Sequence, residues 1–184
     1  QICNLALAIR ALEALPPKLP VSAQAVREGV ARARVPGRFQ VEREGGRTWI
    51  FDVAHNPDGV KALVKTIAGT DPPRPRVGVV GILSDKPADA MLDDLVGVLD
   101  SVVLTTPASA PKGRRWDPAR AAAKLTRGHA ELRPSVAAAV ELAGEGAGSS
   151  GTVLVTGSSY TVGEAMAALG MLPDEALPLP FRAG

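Results

Sequence analysis

The chain has 184 residues, a formal net charge of +2, 46% hydrophobic residues and only 3% aromatics. This suits one sizeable α/β domain with an Ala, Val and Leu core, plus a smaller piece. The weak charge and scattered basic residues exclude a nucleic-acid surface, the single cysteine, Cys3, excludes an internal disulfide, and the lack of a signal peptide or long apolar span points to a soluble cytoplasmic protein with no membrane partner.

A first helix is expected over residues 1–15, where Leu5, Ala8, Ile9, Leu12 and Leu15 recur at helical spacing before Pro16-Pro17. No cap and no initiator Met precede it, so the chain is expected to be a fragment whose upstream part lies elsewhere. Ser22 caps a second helix over 22–34, with Val26 and Val30 on one face, and Pro36-Gly37 breaks it. Residues 39–43 and 47–52 read as two strands joined by Glu44-Gly45-Gly46 in a hairpin. A βα alternation follows. A helix over 58–68 turns Val60, Leu63, Val64 and Ile67 inward, and a strand over 77–83 leads to a helix over 87–99. A strand over 101–105 precedes a helix that starts at Asp117-Pro118 and runs to 125. A short strand is expected over 130–133, then a helix over 135–143 capped by Ser135 and a Gly/Ser-rich loop over 144–151. A strand over 152–156 and a helix over 162–169, closed by Gly170, end the ordered pattern. The Pro-containing tail from Met171 is expected to be loosely held. Continuous apolar strands alternating with helices predict a Rossmann-like α/β fold. Its sheet is mostly parallel with helices on both faces and a hairpin at its start.

The segment Phe51-Asp52-Val53-Ala54-His55-Asn56-Pro57 carries the most chemical information. An apolar strand ends on Asp52, Asn56 is a good helix N-cap, and Pro57 a good first helical residue. A carboxylate, an imidazole and a helix N-terminus thus share the carboxyl end of a strand, where open α/β sheets bind ligands. The same residues also fit a plain capped helix start. Ser84-Asp85-Lys86 follows the next strand; Thr106 and a loop with Lys112, Arg114 and Arg115 follow the one after; Gly157-Ser158-Ser159-Tyr160-Thr161 follows the last. In a parallel sheet these loops converge on one edge and suit a nucleotide and a charged small molecule.

No G-x-x-x-x-G-K-[ST] phosphate loop and no G-x-G-x-x-G occur. Any ATP phosphates must be held mainly outside these residues, and a dinucleotide dehydrogenase is excluded. His55 and His129 are far apart and no C-x-x-C exists, so no structural metal site is expected. The absence of G-x-S-x-G argues against a serine hydrolase.

Five blocks in order resemble the folylpolyglutamate synthase/dihydrofolate synthase family of the Mur ligase superfamily. Gln1-Ile2-Cys3-Asn4-Leu5-Ala6-Leu7-Ala8 resembles the last long helix of that family's central ATPase domain. Val35-Pro36-Gly37-Arg38-Phe39 is similar to the junction W-P-G-R-F/M. Asp52 to Pro57 is similar to D-G-A-H-N-P, and Gly81 to Lys86 to G-x-L-x-D-K-D. Thr156 to Glu164 is similar to T-G-S-x-Y-T-V-G-E. The resemblance implies three parts: residues 1–35 from a truncated central domain, 36–170 as the C-terminal ligase domain, and 171–184 as a tail. It also implies ATP-dependent addition of L-glutamate to dihydropteroate or folate through an acyl phosphate, in folate biosynthesis. The phosphate loop and Mg2+ ligands would sit mainly in the missing N-terminal part. The fragment would be monomeric and inactive alone.

Carried over by position, Asn4, Arg38 and Asp52 would contact ATP. Arg38 would bond phosphate oxygens bidentately, and Asp52 would orient the nucleotide through its ribose. His55 would stand at the reaction centre. Ser84, Asp85, Lys86, Ser158 and Tyr160 would line the glutamate pocket or an interdomain face. Departures are Val35 for Trp, Val53 for Gly, and Pro87 for the second Asp of D-K-D. A peptidoglycan Mur ligase C-terminal domain shares D-x-A-H and is the nearest alternative. A non-catalytic nucleotide or amino-acid binding module, and a fragment whose polar residues only cap helices, are the others. The P-G-R-F junction and T-G-S-x-Y-T-V-G-E favour the folate branch.

Overall fold

The computed structural model describes residues 2–15, 20–33, 35–125 and 127–172. Pro16-Pro17, Arg34 and most of the tail expected from Met171 lie outside them. The chain divides into two compact units, Gln1–Val35 and Pro36–Gly184.

The first unit holds helices α1 (Ile2–Glu13) and α2 (Ala23–Arg32). Ser22 caps α2 by accepting the Ala25 N–H at 3.1 Å, as its position predicts. Leu5, Leu7, Leu12 and Leu15 are exposed, and α2 buries no residue.

The second unit contains β1 (Gln40–Glu44), β2 (Arg47–Asp52), α3 (Pro57–Thr70), β3 (Arg76–Val80), α4 (Ala88–Leu95) and β4 (Ser101–Leu104). It continues with α5 (Pro118–Ala122), β5 (Ala130–Leu132), α6 (Val136–Ala147), β6 (Thr152–Thr156) and α7 (Ser159–Ala168). The six strands form one sheet in the order β1-β2-β6-β3-β4-β5. β1 pairs with β2 antiparallel, the expected hairpin, and every other pairing is parallel. Successive side chains alternate between two apolar layers. Ile50, Val80, Leu104 and Leu154 pack with α3, α4 and α5 on one face. Phe51, Val79, Val103 and Val155 pack with α6 and α7 on the other. The sheet is therefore buried on both sides, and the Rossmann-like α/β architecture expected from the continuous apolar strands is borne out.

Several boundaries differ from those expected, four of them where local contacts give the reason. β3 stops at Val80; Gly81 leaves the ladder and Leu83 instead bridges Arg115. Helix α4 ends at Leu95, just ahead of Gly97. Helix α6 runs through Gly144 and Gly146 to Ala147, where a loop was expected. A Cβ on Gly144 would meet the flexible Arg47 guanidinium at 3.2 Å, and one on Gly146 would make ordinary contact with a Val77 methyl at 3.4 Å. Burial of the Val136, Ala139, Val140, Ala143 and Ala147 face against the sheet thus carries the helix through two poor helix formers. Helix α7 starts at Ser159, three residues early, because Ser158 caps it through the Thr161 N–H at 3.1 Å.

Gly157, between β6 and α7, has φ +105°, and a Cβ there would lie 2.7 Å from the Gly81 carbonyl oxygen. A Cβ on Gly163, inside α7, would meet nothing within 4 Å. Gly157→Ala should lower the unfolding free energy by about 1–3 kcal/mol, whereas Gly163→Ala should be neutral or add up to about 1 kcal/mol. Urea denaturation of both variants checks this. Equal effects would contradict the close approach at the end of β6.

Candidate functional site

The carboxyl ends of β2, β6, β3 and β4 lie side by side along one edge of the sheet. β6 sends its chain to the α7 face, whereas β2 and β3 on either side send theirs to the opposite face. The crevices flanking β6 are therefore the topological switch points where such sheets bind ligands.

Asp52 ends β2 and is half-buried. Its Oδ2 accepts the Phe39 N–H at 2.8 Å and its Oδ1 the Ala54 N–H at 2.9 Å. The Val53 N–H donates to the Gly37 carbonyl at 2.8 Å, and the Gly37 N–H to Gln40 Oε1 at 3.1 Å. The turn that carries Arg38 is thus pinned to the strand end from both sides. Gly37 has φ +67°, and a Cβ there would lie 2.9 Å from Val53 Cγ1. Phe39, at φ 51°, accepts a left-handed conformation costly for an aromatic residue. Arg38 itself is exposed and makes no hydrogen bond or ion pair among the described residues. Burial raises the Asp52 carboxyl above its ordinary range, against the opposing pull of the two amides and the Arg38 charge. Arg38 therefore stands close enough to Asp52 to act on it through its charge. Both Asp52 oxygens already accept backbone N–H groups, which leaves each one lone pair for a ligand.

His55 is exposed, and its Nδ1 lies 3.1 Å from the Val53 carbonyl. A carbonyl only accepts, so this bond puts the proton of the neutral ring on Nδ1 and leaves a lone pair on Nε2. Asn56 caps α3 by accepting the Gly59 N–H at 2.8 Å, and Pro57 begins the helix, both as expected.

At the end of β6, Ser158 is 1% exposed. Its Oγ accepts the Thr161 N–H and lies 2.8 Å from Thr161 Oγ1, which donates to the Gly81 carbonyl at 2.8 Å. The Thr161 proton is committed there, so Ser158 is the donor of the pair. Ser158 is thus an internal tie between the β6 and β3 ends. Tyr160 remains half-exposed.

At the end of β3, Ser84 is exposed. Asp85 pairs with Lys86 at 3.0 Å and takes Arg114 bidentately, both oxygens at 3.0 Å from Nη2. Lys86, then Arg114, hold the Asp85 carboxyl below the usual carboxylate range. The loop after β4 offers fewer free cations than its sequence suggests. Arg114 is bound to Asp85, while Arg115 donates to the Ala108 and Ala110 carbonyls. Lys112 keeps no such partner among the described residues. Trp116 Nε1 donates to the Thr105 carbonyl at 2.8 Å, and Ser109 donates to Glu164.

Asn4 is exposed on α1, in the other unit. Sequence reasoning named Thr161 and Glu164 but gave neither a role. The Ser158–Thr161 spacing of a cap was the available signal for Thr161; Glu164 was marked only as the end of the T-G-S-x-Y-T-V-G-E block. Among the described residues no group of three His, Cys, Asp or Glu could hold a metal, and no helix is long and apolar enough to cross a membrane.

The family pattern described as Mur ligase, glutamate ligase domain, matches residues 37–159. The chain belongs to this family. A dihydrofolate synthase/folylpolyglutamate synthase of Escherichia coli is 37% identical over 89% of this chain and 37% of its own length. One from Mycobacterium tuberculosis is 33% identical over 95% of this chain and 39% of its own. Among solved structures, E. coli FolC in complex with DHPP and ADP matches with a TM-score of 0.79 and 34% identity, over 91% of this chain and 38% of that one. A Yersinia pestis bifunctional folylpolyglutamate synthase/dihydrofolate synthase with Mn, AMPPNP and L-glutamate bound matches with a TM-score of 0.72 and 33% identity, over 90% and 38%. The expected relationship is borne out, and the chain spans about two fifths of the curated relatives' length.

Because burial raises the Asp52 carboxyl, the folded state keeps its proton to higher pH than the unfolded one. The stability this group contributes therefore falls as pH rises from the ordinary carboxylate range through the raised value, and levels off above it. Asp52→Asn should cost about 1–3 kcal/mol at pH 7, because its amide nitrogen faces one of the two N–H groups. The wild-type advantage should shrink as pH rises through that window. Urea unfolding at stepped pH checks this; an advantage that grew with pH would mean that the amides and Arg38 outweigh burial.

Proposed function

We propose that this chain is the glutamate ligase domain of an ATP-dependent ligase that joins L-glutamate to dihydropteroate or to the glutamyl end of a folate. The observation that carries this reading is the Arg38 turn. A free guanidinium is pinned beside Asp52 at a switch point of the sheet, in a chain of the glutamate ligase family. The names of the relatives, and the ligands named with their structures, support the choice of substrates. In this reading residues 1–35 close a preceding ATPase domain, 36–170 form the ligase domain and 171–184 are a tail.

The chemistry divides as follows. ATP phosphorylates the acceptor carboxylate, giving an acyl phosphate and ADP. The α-amino nitrogen of glutamate then attacks the acyl carbon; the N–C bond forms, the C–O bond to phosphate breaks, and the ammonium proton must leave. Arg38 suits bidentate bonding to phosphate oxygens. Asp52 holds the Arg38 turn and keeps a lone pair on each oxygen for the nucleotide's hydroxyls. His55 Nε2 faces outward with a free lone pair, which suits it to orient the amine and take its proton. Lys86 provides a cation for a glutamate carboxylate, positioned by Asp85, with Ser84 and Tyr160 nearby on the same edge. Ser158 supports this edge from inside, and Asn4 is assigned to the adenine region by its likeness to the family's central-domain helix.

Among the described residues no group of three His, Cys, Asp or Glu forms a ready cage for a metal, and in this reading the Mg2+ ligands lie mainly in the preceding ATPase domain. With no phosphate loop in its sequence, the chain alone is inactive.

In a ligase containing this domain, Arg38→Ala should lower glutamate-dependent ADP release about 100-fold, the scale of losing one preorganised charge-stabilising donor. The melting temperature should stay near wild type, since the side chain bonds nothing among the described residues, and Arg38→Lys should recover part of the rate. Unchanged turnover in Arg38→Ala would overturn the assignment.

A further inference from the structure

Glu164 closes the T-G-S-x-Y-T-V-G-E block, one turn beyond Tyr160 on α7, and has no part in the chemistry of the ligase reading. It is half-buried, and its Oε1 accepts both the N–H and the hydroxyl of Ser109 at 2.5 Å. Ser109 lies in the loop between β4 and α5, far from Glu164 in sequence. Arg115 grips the same short segment by its acceptors, donating to the Ala108 and Ala110 carbonyls. Residues 108–110 are thus clamped twice, through their donors by Glu164 and through their carbonyls by Arg115. Among the described residues, no other hydrogen bond joins residues 106–110 to an element outside their own loop. A carboxylate that accepts two such bonds makes a stronger tie than a neutral acceptor would.

The clamped segment leads to the cation that the ligase reading assigns to glutamate. Arg115 bridges Leu83, and the Arg114 carbonyl accepts the Ser84 N–H at 2.9 Å. Arg114 Nη2 lies 3.0 Å from both Asp85 oxygens, and Asp85 pairs with Lys86 at 3.0 Å. The neighbours of Glu164 on α7 act elsewhere. Thr161 donates to the Gly81 carbonyl, and Val162 abuts Gly37, where a Cβ would lie 3.1 Å from its Cγ1. Loss of the Glu164 side chain therefore loosens the loops after β4 and β3 and leaves the Arg38 turn in place. We propose that Glu164 is a positioning residue for the incoming L-glutamate: by holding Ser109 it fixes the β4–α5 loop, and through Arg114 and Asp85 it aims Lys86. This rests on the ligase reading above.

Two measurements test it. On the 184-residue chain, amide hydrogen exchange reads the clamp itself. Glu164→Ala should speed exchange at Ser109 and at Ser84 at least about tenfold and leave Val79 and Val155, inside the sheet, unchanged. Ser84 exchange as slow as in the wild type overturns the proposal, since the clamp would then end in its own loop. In an active ligase containing this domain, Glu164→Ala should raise KM for L-glutamate about tenfold and leave KM for ATP within about twofold. Glu164→Gln, whose amide oxygen can still accept both Ser109 bonds, should recover most of the loss. Ser109→Ala, at an exposed site and with its N–H intact, should give a smaller rise of the same kind; it decides the matter if Glu164→Ala does not fold. Added to Lys86→Met, Glu164→Ala should raise the glutamate KM no further, because the effect passes through Lys86. Equal rises in both KM values, a Gln variant as impaired as the Ala variant, or full additivity with Lys86→Met overturns the proposal. Absence of glutamate-dependent ADP release in the wild type sinks the ligase reading and the glutamate role with it, whereas faster Ser84 exchange would still establish the clamp.

Discussion

One carboxylate at the end of β2 accepts two backbone N–H groups, from Phe39 ahead of the hairpin and from Ala54 beyond the strand. Those bonds, with the Val53–Gly37 bond, convert a flexible Pro-Gly-Arg-Phe entry into a fixed turn. The left-handed backbone at Phe39 is of a kind that persists only when its surroundings over-determine it. Here they do: the Phe39 N–H is held by Asp52, and its ring packs against the α3–α5 layer. The result is a guanidinium on a short, rigid stalk beside a half-buried acid. Removing either bond would leave a part-buried amide unpaired and the Arg38 turn free to move.

The sheet supplies the geometry on which that clamp acts. Because β6 lies between β2 and β3 and sends its chain to the other face, the loops after these three strands part around two crevices. The strand ends are also stitched sideways. Ser158 and Thr161 tie β6 to the Gly81 carbonyl, while the Leu83–Arg115 bridge and the Asp85–Arg114 pair join the β3 and β4 loops. Glycines stand where backbones meet: Gly157 against Gly81, and Gly37 against Val53.

Much of this was legible in the sequence wherever the signal was local. Continuous apolar runs, the Gly45-Gly46 turn and the caps at Ser22, Asn56 and Ser135 announced their elements. Local rules failed where tertiary contact decided the outcome. Gly144 and Gly146 look like a loop, yet the buried face of α6 carries the helix through them to Ala147. Ser158 was carried over as lining a glutamate pocket or an interdomain face, and its burial and its hydroxyl relay to Thr161 and Gly81 emerge only in the fold. The bond from Phe39 to Asp52 spans thirteen positions, and no spacing rule foretells it. The convergence of Asp52, His55 and Ser84-Asp85-Lys86 on one edge was readable only because parallel strands place successive loops there.

The cations along this edge sort into two kinds, and the distinction organises its chemistry. Arg114 and Arg115 are consumed by the loops that carry them, binding Asp85 and the carbonyls of Ala108 and Ala110. Arg114 fixes Asp85, and through it Lys86, while Arg115 ties down its own loop. Arg38 and Arg120 have no such partner, yet each grows from backbone that is tied down: one by Asp52, the other by the Asp117 cap at the start of α5. A charge that is free at its tip and fixed at its root can meet an anion with little further ordering of the chain, which is the costly part of recognition. The acids act mainly as anchors for those roots, and that division explains why an edge so rich in Asp still presents a surface suited to phosphate and carboxylate.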